Sequence, residues 1–421
     1  MAWACLVFLG GFLFLHCLGG RTDKVHAFFC AAMRMIAGAQ KLSSHMKEKI
    51  SSLTSGTISA LRFPLSLGVV FIHFNILSDA LAVRGTGSAG HFPEWLTCVV
   101  TLFSDILARL AVPLFFIISG YLFFRADFTL RSYKEKLRKR ARTILVPYVL
   151  WNVIAVITVG VKFILPGLNQ NKTMPTIDWS LPAMLACFYD KSRGIFQNPE
   201  GEISTYIYPQ DFPLWFVRDL MLMFILAPLL YWMLKKSGWL AVAVLGFLNF
   251  ASHVFNDHMT IYVPQFLVAI FYFSWGACYG LKGMDMVESM RRHAWAALLY
   301  PLWAVAVMLT VGNPYNICIR EASLIFGIFA AVVLTARLLE RGTIRVNKFL
   351  SDGSFFLFAL HGLFIVPLGR CVTKAFYVDN ALYMTALYFL VPLSTTAISY
   401  VLYRLLRRYA PRICDCLTGG R

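Results

Sequence analysis

The sequence predicts an all-α polytopic membrane protein of about ten transmembrane helices, with the N- and C-termini of its core cytoplasmic. Three observations carry this reading. Of 421 residues, 58% are hydrophobic and 15% aromatic, whereas the apolar share of a soluble globular chain is nearer half. Apolar stretches of about 18–25 residues recur along the chain, each long enough to cross a bilayer as a helix. The Lys and Arg residues behind the net charge of +18 sit in short loops between those stretches. That placement is the positive-inside pattern of a membrane protein, not the continuous basic face of a nucleic-acid binder.

Taken in order, the first 20 residues, MAWACLVFLGGFLFLHCLGG, are apolar and uncharged. They lack the basic n-region of a signal peptide, so cleavage is not expected. Residues 1–45 are read as an apolar N-terminal extension, either an extra helix or upstream sequence with Met46 as the working start. Residues 46–421 form the membrane domain. Its ten spans are placed at 58–78, 97–124, 143–165, 213–234, 238–256, 260–281, 294–311, 317–338, 353–370 and 381–404 from apolar length and polar flanks. Pro113 is a candidate kink in the second.

The loops set the orientation. RADFTLRSYKEKLRKRAR, between the second and third spans, holds eight Lys/Arg against two acids and belongs in the cytoplasm. Lys41–Arg62, Lys235–Lys236, Lys282 with Arg291–Arg292, Arg337–Lys348 and the C-terminal YRLLRRYAPRICDCLTGGR fall on that same side. The long opposite loop, 166–212, carries more acids than bases and a short apolar piece, WSLPAMLACFY, suited to an interfacial helix over an outward cavity. Loops of this length are more often functional than filler. The ten cysteines are scattered without a CxxC pair and are read as small apolar residues; Cys414 and Cys416 are too close and too isolated for zinc, so no metal is expected.

Ionisable residues inside the spans are the candidate functional groups, because such groups face a bundle interior or a watered cavity. LRFPLSLGVVFIHFNIL places Arg62 at the start of the first span and His73 deep within it. Eleven residues make about three turns, so the two lie on one face about 16 Å apart. Asp105 and Arg109 are four apart on the second span and able to pair. Arg218 and Asp219 open the fourth span, Arg320 and Glu321 the eighth, and His361 is central in the ninth. The alternatives are a structural ion pair for Asp105–Arg109, and arginines that snorkel to water for Arg218 and Arg320. Taken together, these groups suggest a polar outward cavity floored by His73 and His361. Arg62 and the basic run Arg125–Arg142 make a cationic cytoplasmic mouth, either a topology determinant that binds lipid headgroups or a seat for a polyanionic carrier. GxxxxGK[ST] is absent and no GxGxxG is convincing, so nucleotide hydrolysis and dinucleotide redox chemistry have no support.

These motifs resemble the acyltransferase-3 family of integral membrane acyltransferases in its stand-alone form. The resemblance rests on the Arg62–His73 spacing and on RLAVPLFFIISGYLFF with Pro113, Phe115, Phe116, Ser119, Gly120 and Tyr121. RTILVPYVLW (Arg142, Pro147, Tyr148, Trp151), PLWFVRDL and SFFLFALHG continue it. It covers about residue 58 to the C-terminus. The resemblance implies transfer of an acyl group, most often acetyl, from cytoplasmic acyl-CoA to a carbohydrate hydroxyl in a bacterial inner or plasma membrane. It further implies an exopolysaccharide, lipopolysaccharide or lipid-linked glycan as acceptor. Acyl-CoA is then a donor substrate, and no bound cofactor or nucleic acid is expected.

Within that implied chemistry His73 is the expected general base or a transient acyl carrier, and Arg62 helps to hold the donor. Arg138 and Arg142 are donor-binding candidates. Arg109 and Arg218 hold acceptor groups or stabilise the oxyanion, Glu321 or Asp105 orients a histidine or arginine, and His361 lines the cavity. From another class, a proton-coupled secondary transporter or glycan flippase suits the buried charges equally well, although no internal symmetry is visible.

Overall fold

The computed structural model describes residues 51–74, 76–77, 93–126, 128–164, 176–197, 207–254, 263–376 and 380–420. The N-terminal extension lies outside them. The fold is helical: α1 Ser52–Ile72, α2 Glu94–Phe124, α3 Leu130–Val161, α4 Leu181–Ala186, α5 Trp215–Ile225, α6 Ala227–Ser237 and α7 Trp239–Val254 come first. Then follow α8 Val263–Leu281, α9 Met286–Arg291, α10 Trp295–Leu309, α11 Asn316–Glu340, α12 Lys348–Ala375, α13 Ala381–Tyr409 and α14 Pro411–Thr418. A two-residue hairpin, β1 Thr176–Ile177 and β2 Phe196–Gln197, pairs antiparallel beside α4.

Six of these helices, α1, α2, α3, α11, α12 and α13, are long and apolar enough to cross a membrane. The fourth expected span is instead a pair, α5 and α6, bent by 67°. Pro228, in the first turn of α6, explains the break, since proline lacks the N–H that would continue the ladder and clashes with the preceding turn. The fifth, sixth and seventh expected spans are the shorter apolar helices α7, α8 and α10. Within α2, a π-turn at Thr101–Leu107 and a 3-10 turn at Ala108–Leu110 precede regular helix from Ala111. The irregularity falls where the missing Pro113 N–H leaves the carbonyl four residues earlier unpaired.

Two other expectations need correction. The basic stretch read as a loop is helix: Thr129 and Ser132 form a capping box, and LRSYKEKLRKR continues through a π-turn at Ala141–Leu145 into the span. Lys, Arg, Leu and Glu are strong helix formers, so a cationic sequence is no obstacle. The first span begins earlier than expected. Ser51 caps α1, and its Ser/Thr-rich first turns, which looked like a polar flank, are packed inward: Thr54 and Thr57 are fully buried. The Ser51 and Thr54 hydroxyls donate to Asp285 at 2.9 and 2.6 Å. Arg62 therefore lies half-way along α1 rather than at its start.

Asp285 also caps α9 through the Glu288 N–H at 3.0 Å. Burial pushes the Asp285 carboxyl up, but the hydrogen bonds from Thr54, Glu288 and Ser51 and the Arg125 charge outweigh it and hold the group below the usual carboxylate range.

The tightest packing is between α2 and α8. A Cβ on Gly276 would lie 1.8 Å from the Ile117 carbonyl oxygen, and one on Gly120 would lie 2.0 Å from that of Phe273. Gly276 and Gly280 stand four residues apart on one face, the small-residue arrangement that lets membrane helices approach backbone to backbone. Gly276→Ala is expected to destabilise the protein by about 1–3 kcal/mol through overpacking, read as thermal unfolding of the detergent-solubilised chain. Gly56→Ala, whose Cβ would meet only Leu339 Cδ1 at 3.7 Å, is the control; equal losses in the two variants would sink the close-approach account.

α1 is surrounded by α11, α12, α13 and the irregular part of α2. α1 and α12 run side by side. Arg62 of α1 faces the charge of Asp352 on α12, and His73 meets His361 of α12 further along. The intervals of eleven and nine residues on the two helices match, which aligns them in parallel.

Candidate active site

α12 carries His361 near its midpoint, fully buried. Its Nδ1 lies 3.2 Å from the Leu357 carbonyl oxygen one turn earlier. A carbonyl only accepts, so Nδ1 bears the proton and Nε2 of the neutral ring keeps its lone pair. That Nε2 is buried and has no partner among the described residues.

His73 is the C-cap of α1, not a residue within it. The apolar continuation FNIL hid this boundary in the sequence. Level with the middle of α12, the His73 ring stacks on His361 with centroids 5.5 Å apart and an interplanar angle of 27°. The Phe212 ring meets its other side edge-on at 4.7 Å. The end of α1 is fixed from α2 and α13: Ser104, in the π-turn, donates to the Phe71 carbonyl at 3.0 Å and lies 2.7 Å from the Tyr388 hydroxyl. The Phe71 carbonyl, which also accepts the Phe74 N–H at 3.4 Å, thus ties the end of α1 to a side chain of another span.

Phe212 belongs to a 3-10 turn, Phe212–Leu214, that leads into α5. Asp211 precedes it and is almost completely buried. Its backbone N–H donates to the Asn152 Oδ1 at 3.0 Å, while Asn152 Nδ2 donates to the Tyr148 carbonyl at 2.9 Å. The Asp211 carboxyl is pressed against Gly362: a Cβ there would sit 2.4 Å from Oδ1 and 2.5 Å from the Pro213 ring. The absent side chain of Gly362 is thus what seats the 211–213 turn beside His361. Burial pushes the Asp211 carboxyl well above the usual carboxylate range.

The outer segment is tied to the spans by Arg218 and Tyr148. Arg218 pairs with Asp219 at 2.8 Å, donates to the Tyr189 and Ile207 carbonyls at 2.9 and 3.0 Å, and lies over the Tyr189 ring at 5.0 Å. The Tyr148 hydroxyl donates to the Phe188 carbonyl. Both members of the Arg218–Asp219 pair are buried, so Arg218 is a structural tie rather than a cation reaching for water.

The remaining candidates divide. Arg109 and Asp105 do pair, at 3.3 Å on a half-exposed face, and the Arg109 charge is felt at His73. Glu321 lies 3.8 Å from His253 of α7, a histidine the sequence reading passed over although it stood within a predicted span. Arg138 and Arg142 are exposed at the cationic end of α3. Asp211 and Asn152 were also missed. Asp211 counted only toward the acidity of the outer loop, and its position just before PLWFVRDL was the available signal.

With this geometry in hand, the family model described as an acyltransferase domain, of the acyltransferase-3 type, matches residues 56–404. The chain belongs to this acyltransferase family. Its matched region runs from the second turn of α1 into the last two turns of α13 and so contains every residue of the site above. The chain is also similar to a succinoglycan biosynthesis protein, ExoH, of Rhizobium meliloti (strain 1021), with 27% identity over 380 residues, 87% of this chain and 92% of that protein. No solved structure matches it. This acyltransferase is therefore a helical protein with six to seven candidate membrane-spanning helices among its described residues.

Proposed function

We propose that this acyltransferase moves an acyl group, acetyl in the first instance, from cytoplasmic acyl-CoA to a hydroxyl of a cell-surface or lipid-linked carbohydrate. The observation that carries the reading is the His73–His361 stack where α1 ends against the middle of α12. A sugar hydroxyl is a poor nucleophile at neutral pH, and an imidazole is the side chain suited to take its proton. His73, the more exposed of the two rings, removes the proton as the hydroxyl oxygen attacks the thioester carbonyl. The tetrahedral intermediate then collapses with cleavage of the C–S bond, and the departing thiolate takes up a proton to leave as free CoA. Arg109, whose charge reaches His73, stabilises the oxyanion. Arg62, on the α1–α12 seam, and Arg138 and Arg142, on the exposed basic end of α3, hold the donor. The likeness to a succinoglycan biosynthesis protein favours a polysaccharide acceptor.

The reading also assigns topology. The six long helices, the bent α5–α6 pair and the three shorter apolar helices make ten crossings. With the Lys/Arg-rich loops in the cytoplasm, the histidine pair opens outward and the membrane is the bacterial inner or plasma membrane. Mass spectrometry of surface glycan from cells with and without the gene tests the function. Loss of an ester-linked acyl group with glycan still exported is the expected result. Loss of the glycan itself from the surface would overturn the reading in favour of a carrier.

A further inference from the structure

We propose that the Asp211 carboxyl group is the seat for a second hydroxyl of the acceptor sugar, adjacent to the one acylated; this rests on the carbohydrate reading above. Two consecutive residues of the turn before α5 meet the two histidine helices. Asp211 lies against Gly362, the neighbour of His361, and Phe212 lies against the His73 ring. Behind that contact, Asp211 Oδ1, Asp211 Oδ2 and His361 Nε2 are all buried without a partner among the described residues. A buried polar atom left unpaired is costly, and native proteins keep few of them outside functional sites.

All three atoms can accept, and a carboxyl whose protonated form burial favours can also donate, so the complementary ligand offers groups that both donate and accept. A pyranose with neighbouring hydroxyls answers this chemistry: one O–H faces the histidine pair and the next faces the carboxyl. Asn152 takes the Asp211 backbone N–H, which fixes the residue and leaves its side chain uncommitted. His73 and Phe212 are both partly exposed, and each is a direct neighbour of one of the buried groups, His73 by ring stacking on His361 and Phe212 by following Asp211 in the chain.

The test uses the full chain in detergent with acetyl-CoA as donor and a panel of methyl glycosides as acceptors, read as CoA release and ester product. Asp211→Ala is expected to raise the KM for the glycoside used by about 10–100-fold, while the KM for acetyl-CoA moves by less than about twofold. Asp211→Asn, which keeps one acceptor oxygen, falls between, and it decides the matter if the alanine variant fails to fold. A glycoside lacking the adjacent hydroxyl should cost the native protein a similar factor and cost Asp211→Ala nothing further, the signature of two partners in one interaction. Fully additive losses, or an unchanged glycoside KM in the variants, would overturn the seat. A native protein that releases CoA no faster with any glycoside fails differently: it overturns the carbohydrate reading itself.

Discussion

Replacing His73 with alanine is expected to lower acyl transfer by about 10²–10⁴-fold, the usual worth of a positioned general base, while leaving the protein inserted and folded. The geometry predicts both halves. His73 caps the end of α1 rather than standing within the helix, and it is only half-buried. Its ring contacts are with His361 and Phe212, so truncation leaves no buried charge unpaired. The measurement is initial-rate acyl transfer by the purified chain, with size-exclusion elution as the check on folding. A rate within about tenfold of the native one would remove His73 from the chemistry and move the base assignment to His361, whose Nε2 lone pair is the other one available.

Arg218→Ala is expected to be the most destabilising single change at the site, by about 3–5 kcal/mol, because removing one member of a buried ion pair leaves the other uncompensated. Asp219 is fully buried, and Arg218 also holds the carbonyls of Tyr189 and Ile207. The variant should therefore unfold at lower temperature and also loosen the outer segment around α4, seen as faster proteolysis there. A double replacement of Arg218 and Asp219 by methionine and leucine should recover part of the stability, since apolar groups of similar volume avoid the desolvation cost. It should not re-tie the outer segment. Thermal unfolding unchanged in Arg218→Ala would mean that the pair is not buried as described.

Much of the architecture was legible in the chain because a bilayer imposes a length and a polarity on each span. The long helices α11, α12 and α13 fall where hydropathy placed them, and the histidines at 73 and 361, expected to lie together, do stack ring on ring. The errors have a common origin. Hydropathy averages over a window and is blind to what a helix end touches. Thr54 and Thr57 read as a polar flank, yet they are buried because Asp285 and its neighbours receive the first turns of α1. Arg62 read as the start of the first span and part of a cytoplasmic mouth, yet it lies half-way along α1 within reach of the Asp352 charge. The α5–α6 break read as one span because Pro228 sits in an unbroken apolar run.

What the sequence determined by itself was the class of molecule and the short roster of charged and imidazole groups that lipid would not tolerate unsupported. Those are properties of composition and of local patterning, and they need no knowledge of neighbours. Only the tertiary structure decided that α1 stops at His73, that His361 stacks behind it and that Asp211 lies against Gly362. Each of those is a contact between residues remote in the chain, set by how closely backbones can approach and by which side chains are left without a partner.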